Sequence, residues 1–366
     1  MSIAADIPSL ESLVTLRDFE RAARARVERT AWDYFRSGAD AERTLRRNVR
    51  AFRAWEIWYR VLVDVANVDT STTVLGTRVP FPVLIAPTAY HRLAHPDGEI
   101  ATARAAASLG TVYVASTLAT TSLEDVATSC AGPRWFQLYV HKDREFTREL
   151  AQRAEHAGYG AIVLTVDTPV LGRRLRDERN HFGLPAGLTM ANLVGARGLA
   201  HVDGSMLAKY VASRHDASLN WADLEWLGGL TKLPIVLKGI VRGDDAARAA
   251  EHGVAGVIVS NHGGRQLGAS PATIDALRGV VDAVQGRCDV LMDGGVRWGT
   301  DVLVALALGA RAVLVGRPVL WGLAVGGEPG VRRVLEILRD ELTRAMALAG
   351  CATLDDARED LVQRRA

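Results

Sequence analysis

The unit that decides the fold is clearest in the stretch GVIVSNHGG, residues 256–264. Its first four residues form a short apolar run, which is typical of a strand buried in a parallel sheet. A histidine and two glycines follow where this strand ends, and Arg265 comes next. Histidine exchanges a proton near neutral pH, and arginine can hold a carboxylate through two parallel hydrogen bonds. Alone, these residues also fit a surface turn, so their meaning depends on the rest of the chain.

The same pattern recurs along the chain from residue 80 onward. Apolar, strand-like runs alternate with helix-like segments, several of which end at glycine, a usual helix stop. Eight such repeats predict a (β/α)8 TIM barrel, an α/β fold built on one parallel sheet. The predicted barrel strands are Pro82–Ala89, Thr111–Thr117, Trp135–Val140, Ala161–Pro169, Pro234–Ile240, Val257–Gly263, Val290–Val296 and Ala312–Pro318.

The barrel is predicted to belong to a single domain that spans the whole chain. Residues 1–78 are expected to form an N-terminal arm that is helical over residues 10–60, in which Thr15 caps a helix. Residues 79–352 are expected to form the barrel, and residues 353–366 a C-terminal tail.

Two further segments of the chain are distinctive. The periodic segment Val331–Leu348 predicts an amphipathic helix that closes the barrel. Phe182–Asn220 forms a polar, irregular insertion after the fourth barrel strand. Long insertions on the catalytic face of such a barrel are often lids or binding loops.

The composition is that of an ordinary globular protein with a large core. The chain has 366 residues, 48% hydrophobic and 23% charged, with a formal net charge of +2. That charge gives no general attraction to nucleic acid or to a membrane. The arm is locally basic, with twelve arginines against seven acidic residues between residues 17 and 60. A solvated helical face or a subunit contact is the simpler interpretation, and an RNA-binding arm is the alternative.

The cysteine and histidine content argues against disulfides and metals. Cys130, Cys288 and Cys351 are odd in number and widely spaced, which suits a reducing compartment, so a cytoplasmic protein is expected. The histidines His91, His95 and His262 lie on different predicted loops without ligand spacing, so no metal site is expected. Neither a signal peptide nor a membrane span of about eighteen apolar residues is expected.

Polar residues stand at the end of every predicted strand. The carboxyl ends of the strands form the catalytic face of this fold, so these residues are expected to converge. The last two strands end in Asp293-Gly-Gly and Gly316-Arg317. Glycine-rich loops at these positions commonly bind phosphate through backbone N–H groups, and an arginine adds charge-assisted hydrogen bonds. A phosphate-bearing cofactor or substrate is therefore predicted, although the chain has neither a Walker motif nor a GxGxxG nucleotide domain.

Taken together, these strand ends resemble one family. Ser260–Leu267, Asp293–Arg297, Ala86–Ala89 and Gln137–Tyr139 are similar to motifs of the FMN-dependent 2-hydroxy-acid oxidases and dehydrogenases. That family includes glycolate oxidase, lactate oxidase, hydroxymandelate oxidase and mandelate dehydrogenase. The resemblance covers residues from about 15 to 355, and it implies FMN as the cofactor and a small 2-hydroxy acid as the substrate.

The resemblance also implies roles for individual residues. His262 is expected to be the base that removes a substrate proton, and Asp167 the carboxylate that orients it. Tyr139 is expected to hydrogen-bond the substrate hydroxyl, and Lys238 to lie beside flavin N1, where negative charge grows on reduction. The substrate carboxylate is expected to contact Arg265, Arg174 and Tyr34.

The remaining implied contacts are with the flavin. The edges of its isoalloxazine ring are expected to be held by Thr88, Ser116, Gln137 and Thr165, with further contacts at Pro87, Ala89 and Ser260. The ribityl chain is expected to bind Asp293, and the phosphate Gly295, Arg297, Gly316 and Arg317.

One position departs from the family pattern. Glycolate oxidases carry tryptophan where this chain has Leu118. The smaller side chain favours a substrate with a larger apolar group, such as mandelate or a medium-chain aliphatic 2-hydroxy acid. A neighbour such as Tyr90, Met190 or a residue of the Phe182–Asn220 insertion is the alternative occupant of that space.

The resemblance implies oxidation of an (S)-2-hydroxy acid to the 2-oxo acid, with dioxygen reduced to hydrogen peroxide. Ala89 matches the oxidase members, whereas mandelate dehydrogenase has glycine there. A dehydrogenase or monooxygenase acting on lactate or glycolate is the alternative, and a non-redox barrel such as an isomerase is a more distant one. A homo-oligomer, either a tetramer or an octamer, is also expected.

Overall fold

The described part of this computed structural model, residues 9–193 and 213–365, begins with a helical arm. The arm contains α1 (Leu16–Arg26), α2 (Arg29–Arg36) and α3 (Arg43–Ala51), preceded by a 3-10 turn at Leu10–Ser12. Thr15 caps α1, as predicted. Its hydroxyl accepts from the backbone N–H of Asp18, and the Asp18 carboxylate accepts from the backbone N–H of Thr15.

The arm does not stay helical to residue 60, so the helical prediction is wrong at that end. Trp55–Ile57 forms strand β1, which pairs antiparallel with Val362–Arg364 near the end of the chain. This pairing gives backbone hydrogen bonds to both segments and ties the tail to the arm. No local pattern could reveal it, because the two segments are far apart in sequence.

A hairpin closes the amino-terminal mouth of the barrel. Its strands are β2 (Thr72–Val74) and β3 (Thr77–Val79), which pair antiparallel. Val74 and Val79 are fully buried in the cluster that fills the barrel interior. The adjoining backbone N–H of Leu75 donates to Asp289 at the start of a barrel strand, with a distance of 2.9 Å.

Eight parallel strands form a closed barrel, in which each strand pairs with the next and the last pairs with the first. Each overlaps one of the eight predicted runs, so the predicted fold is confirmed. The strands are β4 (Val83–Ile85), β5 (Tyr113–Ser116), β6 (Arg134–Leu138), β7 (Ile162–Thr165), β8 (Ile235–Ile240), β9 (Gly256–Val259), β10 (Asp289–Asp293) and β11 (Ala312–Val315).

Helices follow the barrel strands along the chain. They are α4 (Gly98–Ser108), α5 (Leu123–Ser129), α6 (Arg144–His156), α7 (Leu175–Arg179), α8 (Asp223–Gly228), α9 (Gly243–Glu251), α10 (Thr273–Val284), α11 (Gly299–Ala307) and α12 (Arg317–Ala349), and the chain ends in β12 (Val362–Arg364). Short 3-10 turns occur at Phe52–Ala54, His91–Leu93, Ala191–Leu193, His262–Gly264, Leu354–Asp356 and Glu359–Leu361.

The predicted helix Val331–Leu348 is the second half of α12. This helix bends at Gly326 and Gly327, where Gly327 has a φ of +57°, and Pro329 follows the bend. α12 packs against α1 and α4, so it joins the arm to the barrel. Of the predicted insertion Phe182–Asn220, residues 194–212 lie outside the described part of the chain.

Apolar side chains fill both sides of the barrel wall. Inside it, Leu84, Val163, Ile258 and Leu291 are fully buried. Burying such a side chain contributes about 1.5–3 kcal/mol each, which explains why these strands are apolar on both faces. Among the described residues, no helix is both long and apolar enough to cross a membrane.

Candidate active site

The loop after β9 holds His262 in an unusual backbone conformation. His262, Gly263 and Gly264 have φ values of +59°, +62° and +76°, in the left-handed region that side chains with a Cβ disfavour. A Cβ on Gly264 would lie 2.4 Å from the backbone nitrogen of Leu45 in α3, so this position needs glycine. Such strained residues persist only where surrounding structure holds them, often at functional sites.

The arm supplies part of that support. The side-chain amides of Asn48 in α3 and Asn261 form two reciprocal hydrogen bonds of 2.8 Å, and both residues are buried. Asn261 Oδ1 also accepts from the backbone N–H of Gly264 at 3.0 Å. The arm is therefore packed directly against the loop that carries His262.

His262 and Asp167 form a buried pair. His262 Nδ1 lies 2.8 Å from Asp167 Oδ1, and the Thr168 hydroxyl donates to the same oxygen at 3.0 Å. Burial lowers the pKa of His262, and Asp167 only partly offsets this effect. Burial opposes ionisation of Asp167, but His262 and Lys238 together hold the pKa of that carboxyl below its ordinary value. The pair is thus a neutral imidazole oriented by a carboxylate.

A second buried pair lies at the ends of β8 and β10. Lys238 Nζ is 2.9 Å from Asp293 Oδ2 and 2.9 Å from the Ser260 hydroxyl. Burial alone would lower the pKa of Lys238, but Asp293 and Asp167 raise it above its ordinary value. Lys238 therefore stays a cation inside the protein.

Two arginines approach the His262 side of the site. Arg265 Nη1 donates to the carbonyl oxygens of Tyr34 and Ser37 at 2.7 and 2.9 Å, and its guanidinium carbon lies 4.9 Å from the centre of the Tyr34 ring. Burial and the nearby charge of Arg174 lower the pKa of Arg265 to about 10. These like charges lie close together, an arrangement that an anion would stabilise.

A polar network lies at the ends of β5, β6 and β7. Gln137 Nε2 donates to the Thr165 hydroxyl at 3.1 Å, while its Oε1 accepts from the Ser116 hydroxyl at 3.3 Å. The Thr88 hydroxyl is also engaged, because it lies 2.6 Å from Nε2 of the fully buried His91. These contacts hold the polar groups in fixed orientations.

Arg317 lies where α12 begins and where the arm meets the barrel. It donates to three carbonyl oxygens, those of Phe35, Gly263 and Ser37, at 2.9–3.0 Å. Among the described residues neither Arg317 nor Arg297 forms a salt bridge with a carboxylate. Arg317 thus links the arm to the His262 loop as well as facing the site.

One cavity brings the predicted residues together at the carboxyl end of the barrel. All of the predicted site residues line it except Asp167 and Ser260. Those two lie behind residues that line the cavity: Asp167 is hydrogen-bonded to His262, and Ser260 to Lys238. The convergence that the strand ends predicted is therefore present.

Leu118 is buried and lines this cavity. Tyr90 and Met190, the alternative occupants of this space, do not line the cavity, and the Tyr90 hydroxyl contacts Met190 Sδ at 3.6 Å. His215 from the insertion does line it, with its ring stacked 4.6 Å from that of Tyr139. Burial and His141 lower the pKa of His215 to about 3, so its ring is neutral.

The residues present fit FMN. Asp293 Oδ1 is a buried acceptor without a hydrogen-bond partner among the described residues, and a ribityl hydroxyl can donate to it. Arg317 is the first residue of α12, and Arg297 lies over the ring of Trp321 in the same helix. Neither arginine has a carboxylate partner in the described chain, which suits a phosphate. The Lys238 cation pairs with Asp293 and lines the same cavity as His262, which suits the electron-rich edge of a flavin ring.

Comparison with known proteins agrees with this chemistry. A family model described as FMN-dependent dehydrogenase matches residues 23–364.

This chain belongs to the FMN-dependent dehydrogenase family. The family and the cofactor predicted from the strand ends are thereby confirmed.

Relatives of this family member include several oxidases. It is 52% identical over 363 residues to 2-hydroxyacid oxidase 1 of Homo sapiens, covering 97% of this chain and 98% of that protein. It is 53% identical over 355 residues to L-lactate oxidase of Nostoc sp., covering 95% and 97%, respectively. A crystal structure of mandelate oxidase with (S)-4-hydroxymandelic acid aligns with a TM-score of 0.92 and 44% identity, over 96% of this chain and 99% of that chain.

Sequence reasoning missed several residues that shape the site of this family member. Thr168 contacts the Asp167 carboxylate, Asn48 supports the His262 loop, and His91 holds the Thr88 hydroxyl. Thr168 could have been found, because it directly follows a predicted strand-end carboxylate. Asn48 and His91 carry no local signal, since their partners are known only once the elements are packed.

Proposed function

We propose that this protein is an FMN-dependent oxidase that converts an (S)-2-hydroxy acid with an aromatic or medium-sized apolar side chain into the 2-oxo acid. Dioxygen is the electron acceptor and is reduced to hydrogen peroxide. The observation that carries the proposal is the His262–Asp167 pair, which adjoins a cavity with clustered arginines and with Lys238. A base, a carboxylate clamp and a flavin-binding cation are thus combined in one cavity.

The proposed proton acceptor is His262 Nε2. Its other ring nitrogen, Nδ1, lies 2.8 Å from Asp167, which fixes the tautomer and leaves the Nε2 lone pair available. When the base takes the substrate proton, the Asp167 carboxylate stabilises the imidazolium. Bound FMN supplies the two-electron acceptor for the substrate.

Substrate orientation is assigned to the residues around this base. Arg265 and Arg174 hold the carboxylate, with Tyr34 beside them, and Tyr139 hydrogen-bonds the hydroxyl that becomes the carbonyl. Burial, with a smaller contribution from Asp167, raises the pKa of Tyr139, so the phenol remains a hydrogen-bond donor. Arg265 already donates to two arm carbonyls through Nη1, which leaves Nη2 for the substrate.

The side chain of the substrate is assigned to the wall that contains Leu118. Leu118 and Leu171 both line the cavity with apolar side chains, and the neutral ring of His215 adds an aromatic surface to its lining. Each buried methylene contributes about 0.8 kcal/mol, which is about fourfold in kcat/KM. A relative crystallised with (S)-4-hydroxymandelic acid supports an aryl substrate, while the lactate oxidase relative supports a smaller one.

A substrate panel with peroxide detection tests the proposal. Purified holoenzyme is supplied under air with glycolate, which is achiral, and with the separate (S)- and (R)-forms of lactate, 2-hydroxyoctanoate and mandelate. We expect one hydrogen peroxide per 2-oxo acid and selectivity for (S)-mandelate or the octanoate. Turnover only with an artificial dye identifies a dehydrogenase, and a carboxylic acid one carbon shorter identifies a monooxygenase. The released chromophore must be FMN rather than FAD.

A further inference from the structure

A second, basic groove lies outside the cavity, between α1, α3 and the start of α12. Eight arginines and two glutamates line it. Arg46 and Arg50 are four residues apart on α3, which places them on one face of that helix, and Arg53 follows in the 3-10 turn Phe52–Ala54. We call this surface the arginine groove. It contains much of the excess basic charge of the arm, which the proposed reaction does not use.

The positive charge of the arginine groove is poorly compensated. One of its glutamates, Glu42, is already paired with Arg176 at 2.8 Å. Within residues 9–193 and 213–365, Arg17, Arg50 and Arg53 form no salt bridge, and all three are exposed. Clustered charge of one sign in a cleft raises the local concentration of ions of the opposite sign.

Two arginines connect the arginine groove to the flavin cavity. Arg297 and Arg317 line both, and each is half-buried. Burial lowers the pKa of Arg317, and the like charges of Arg265 and Arg297 lower it further. The guanidinium carbon of Arg297 lies 5.0 Å from the centre of the Trp321 ring, which keeps it at this junction. The groove therefore leads from solvent to the point where a flavin phosphate is expected.

We propose that the arginine groove captures the phosphate of FMN from solution and guides it to Arg297 and Arg317. The inference rests on the proposed flavin site, because it takes the phosphate to end between those two residues. The outer arginines are exposed to solvent and lie outside the flavin cavity, so their attraction acts mainly on the rate of association and only weakly on the final complex. The ligand chemistry is a phosphate monoester dianion, which riboflavin lacks.

The test measures how fast flavin binds to full-length apoprotein, by the quenching of flavin fluorescence at low ionic strength. In Arg50→Gln/Arg53→Gln, we expect FMN association to slow by about tenfold, at the lower end of typical electrostatic steering. The FMN dissociation rate and the riboflavin association rate should stay unchanged. The matched control is Arg43→Gln/Arg47→Gln, which removes the same charge from exposed positions of α3 that do not line the groove. Its FMN association should stay within about twofold of wild type.

Several outcomes would overturn the proposal. These are an unchanged FMN association rate in the groove variant, an equal slowing with riboflavin, and an equal slowing in the control. A wild-type rate that does not fall with rising salt, or with added inorganic phosphate, also excludes it without any variant. A loss of oligomeric mass in Arg50→Gln/Arg53→Gln, measured by light scattering, would identify the groove as a subunit contact instead.

An error in the proposed position of the flavin phosphate would give a different result from an error in the capture role of the arginine groove. Arg297→Gln should speed FMN dissociation if the phosphate ends at the junction of groove and cavity. If Arg297→Gln leaves both FMN rates unchanged, the proposed phosphate position is wrong, whatever the groove variants do. If it speeds dissociation while the groove variants behave as wild type, only the capture role is wrong.

Discussion

His262 Nδ1 lies 2.8 Å from Asp167 Oδ1, although 95 residues separate the two in the chain. The strands that precede them, β7 and β9, are not neighbours in the barrel, because β8 lies between them. Closure of the barrel thus brings the loops after both strands together at its carboxyl end, where the two side chains meet. This relationship carries the acid–base chemistry proposed for the protein.

The first prediction concerns the base. His262→Gln should retain bound flavin but lose about two to four decades in the rate of flavin reduction by substrate, the usual size for a positioned base. Anaerobic stopped-flow spectroscopy of the flavin measures this step directly. His156→Gln, an exposed substitution at the end of α6, is the control and should reduce its flavin normally. Near-normal reduction in His262→Gln would show that another group takes the proton.

The second prediction is the pH dependence of kcat/KM. The neutral form of His262 is required, so activity is lost as pH falls through the pKa of this residue. Because burial lowers that pKa, the acid limb should lie below pH 6.5, the ordinary value for histidine. Asp167→Asn removes a group that raises the pKa of His262, so the limb should move to still lower pH as the maximal rate drops. If the acid limb of Asp167→Asn moves to higher pH, the assignment of the limb to His262 is contradicted. If the limb disappears in this variant, it reports the titration of Asp167.

The third prediction concerns the carboxylate clamp. Arg265→Lys keeps the charge but loses the planar fork, so kcat/KM should fall by about ten- to a hundredfold, as for lost hydrogen bonds to a charged group. The fall should be mainly in KM for the acid. Arg43→Lys, at an exposed position of α3, should leave both constants unchanged. If the wild type oxidises the methyl ester as fast as the acid, no clamp is operating.

The fourth prediction concerns pocket size. Leu118→Trp should lower kcat/KM for mandelate and 2-hydroxyoctanoate and raise the relative preference for glycolate. The larger indole ring would occupy the space that is proposed for the substrate side chain. Leu118→Met, which nearly conserves volume, should preserve the wild-type ranking. Steady-state kinetics on the four substrates decides the matter. An unchanged ranking in Leu118→Trp would mean that another residue, with His215 the first candidate, sets the size of the pocket.

The fifth prediction tests the contact between the arm and the catalytic loop. Asn48→Ala removes two buried hydrogen bonds from the Asn261 amide, which keeps those to the Gly264 N–H and the Pro271 carbonyl oxygen, so it should cost about 1–3 kcal/mol of stability. The midpoint temperature of thermal unfolding and kcat should both decrease. A double-mutant cycle with Asn261→Ala should show that the two losses are not additive. Additive losses would mean that the two amides do not act as a pair.

Much of the architecture could be predicted from local pattern. Buried parallel strands are apolar on both faces, so the eight runs stood out, and the Thr15 cap obeys a short-range rule. The polar strand ends also indicated the site, because a closed barrel brings all carboxyl ends to one face. The FMN-binding family followed from these same segments.

Other features depended on which elements come to lie together. The β1–β12 pairing, the Asn48–Asn261 amide pair and the bonds from Arg317 to arm carbonyls all join segments that are far apart in the chain. Ser260, predicted to contact the flavin, lies behind the cavity wall and accepts a hydrogen bond from Lys238. The sequence by itself determined the barrel and the chemistry at its strand ends, since both follow from periodicity and residue type. Only the tertiary structure decided how the arm completes the site, because long-range contacts leave no periodic signal in either partner.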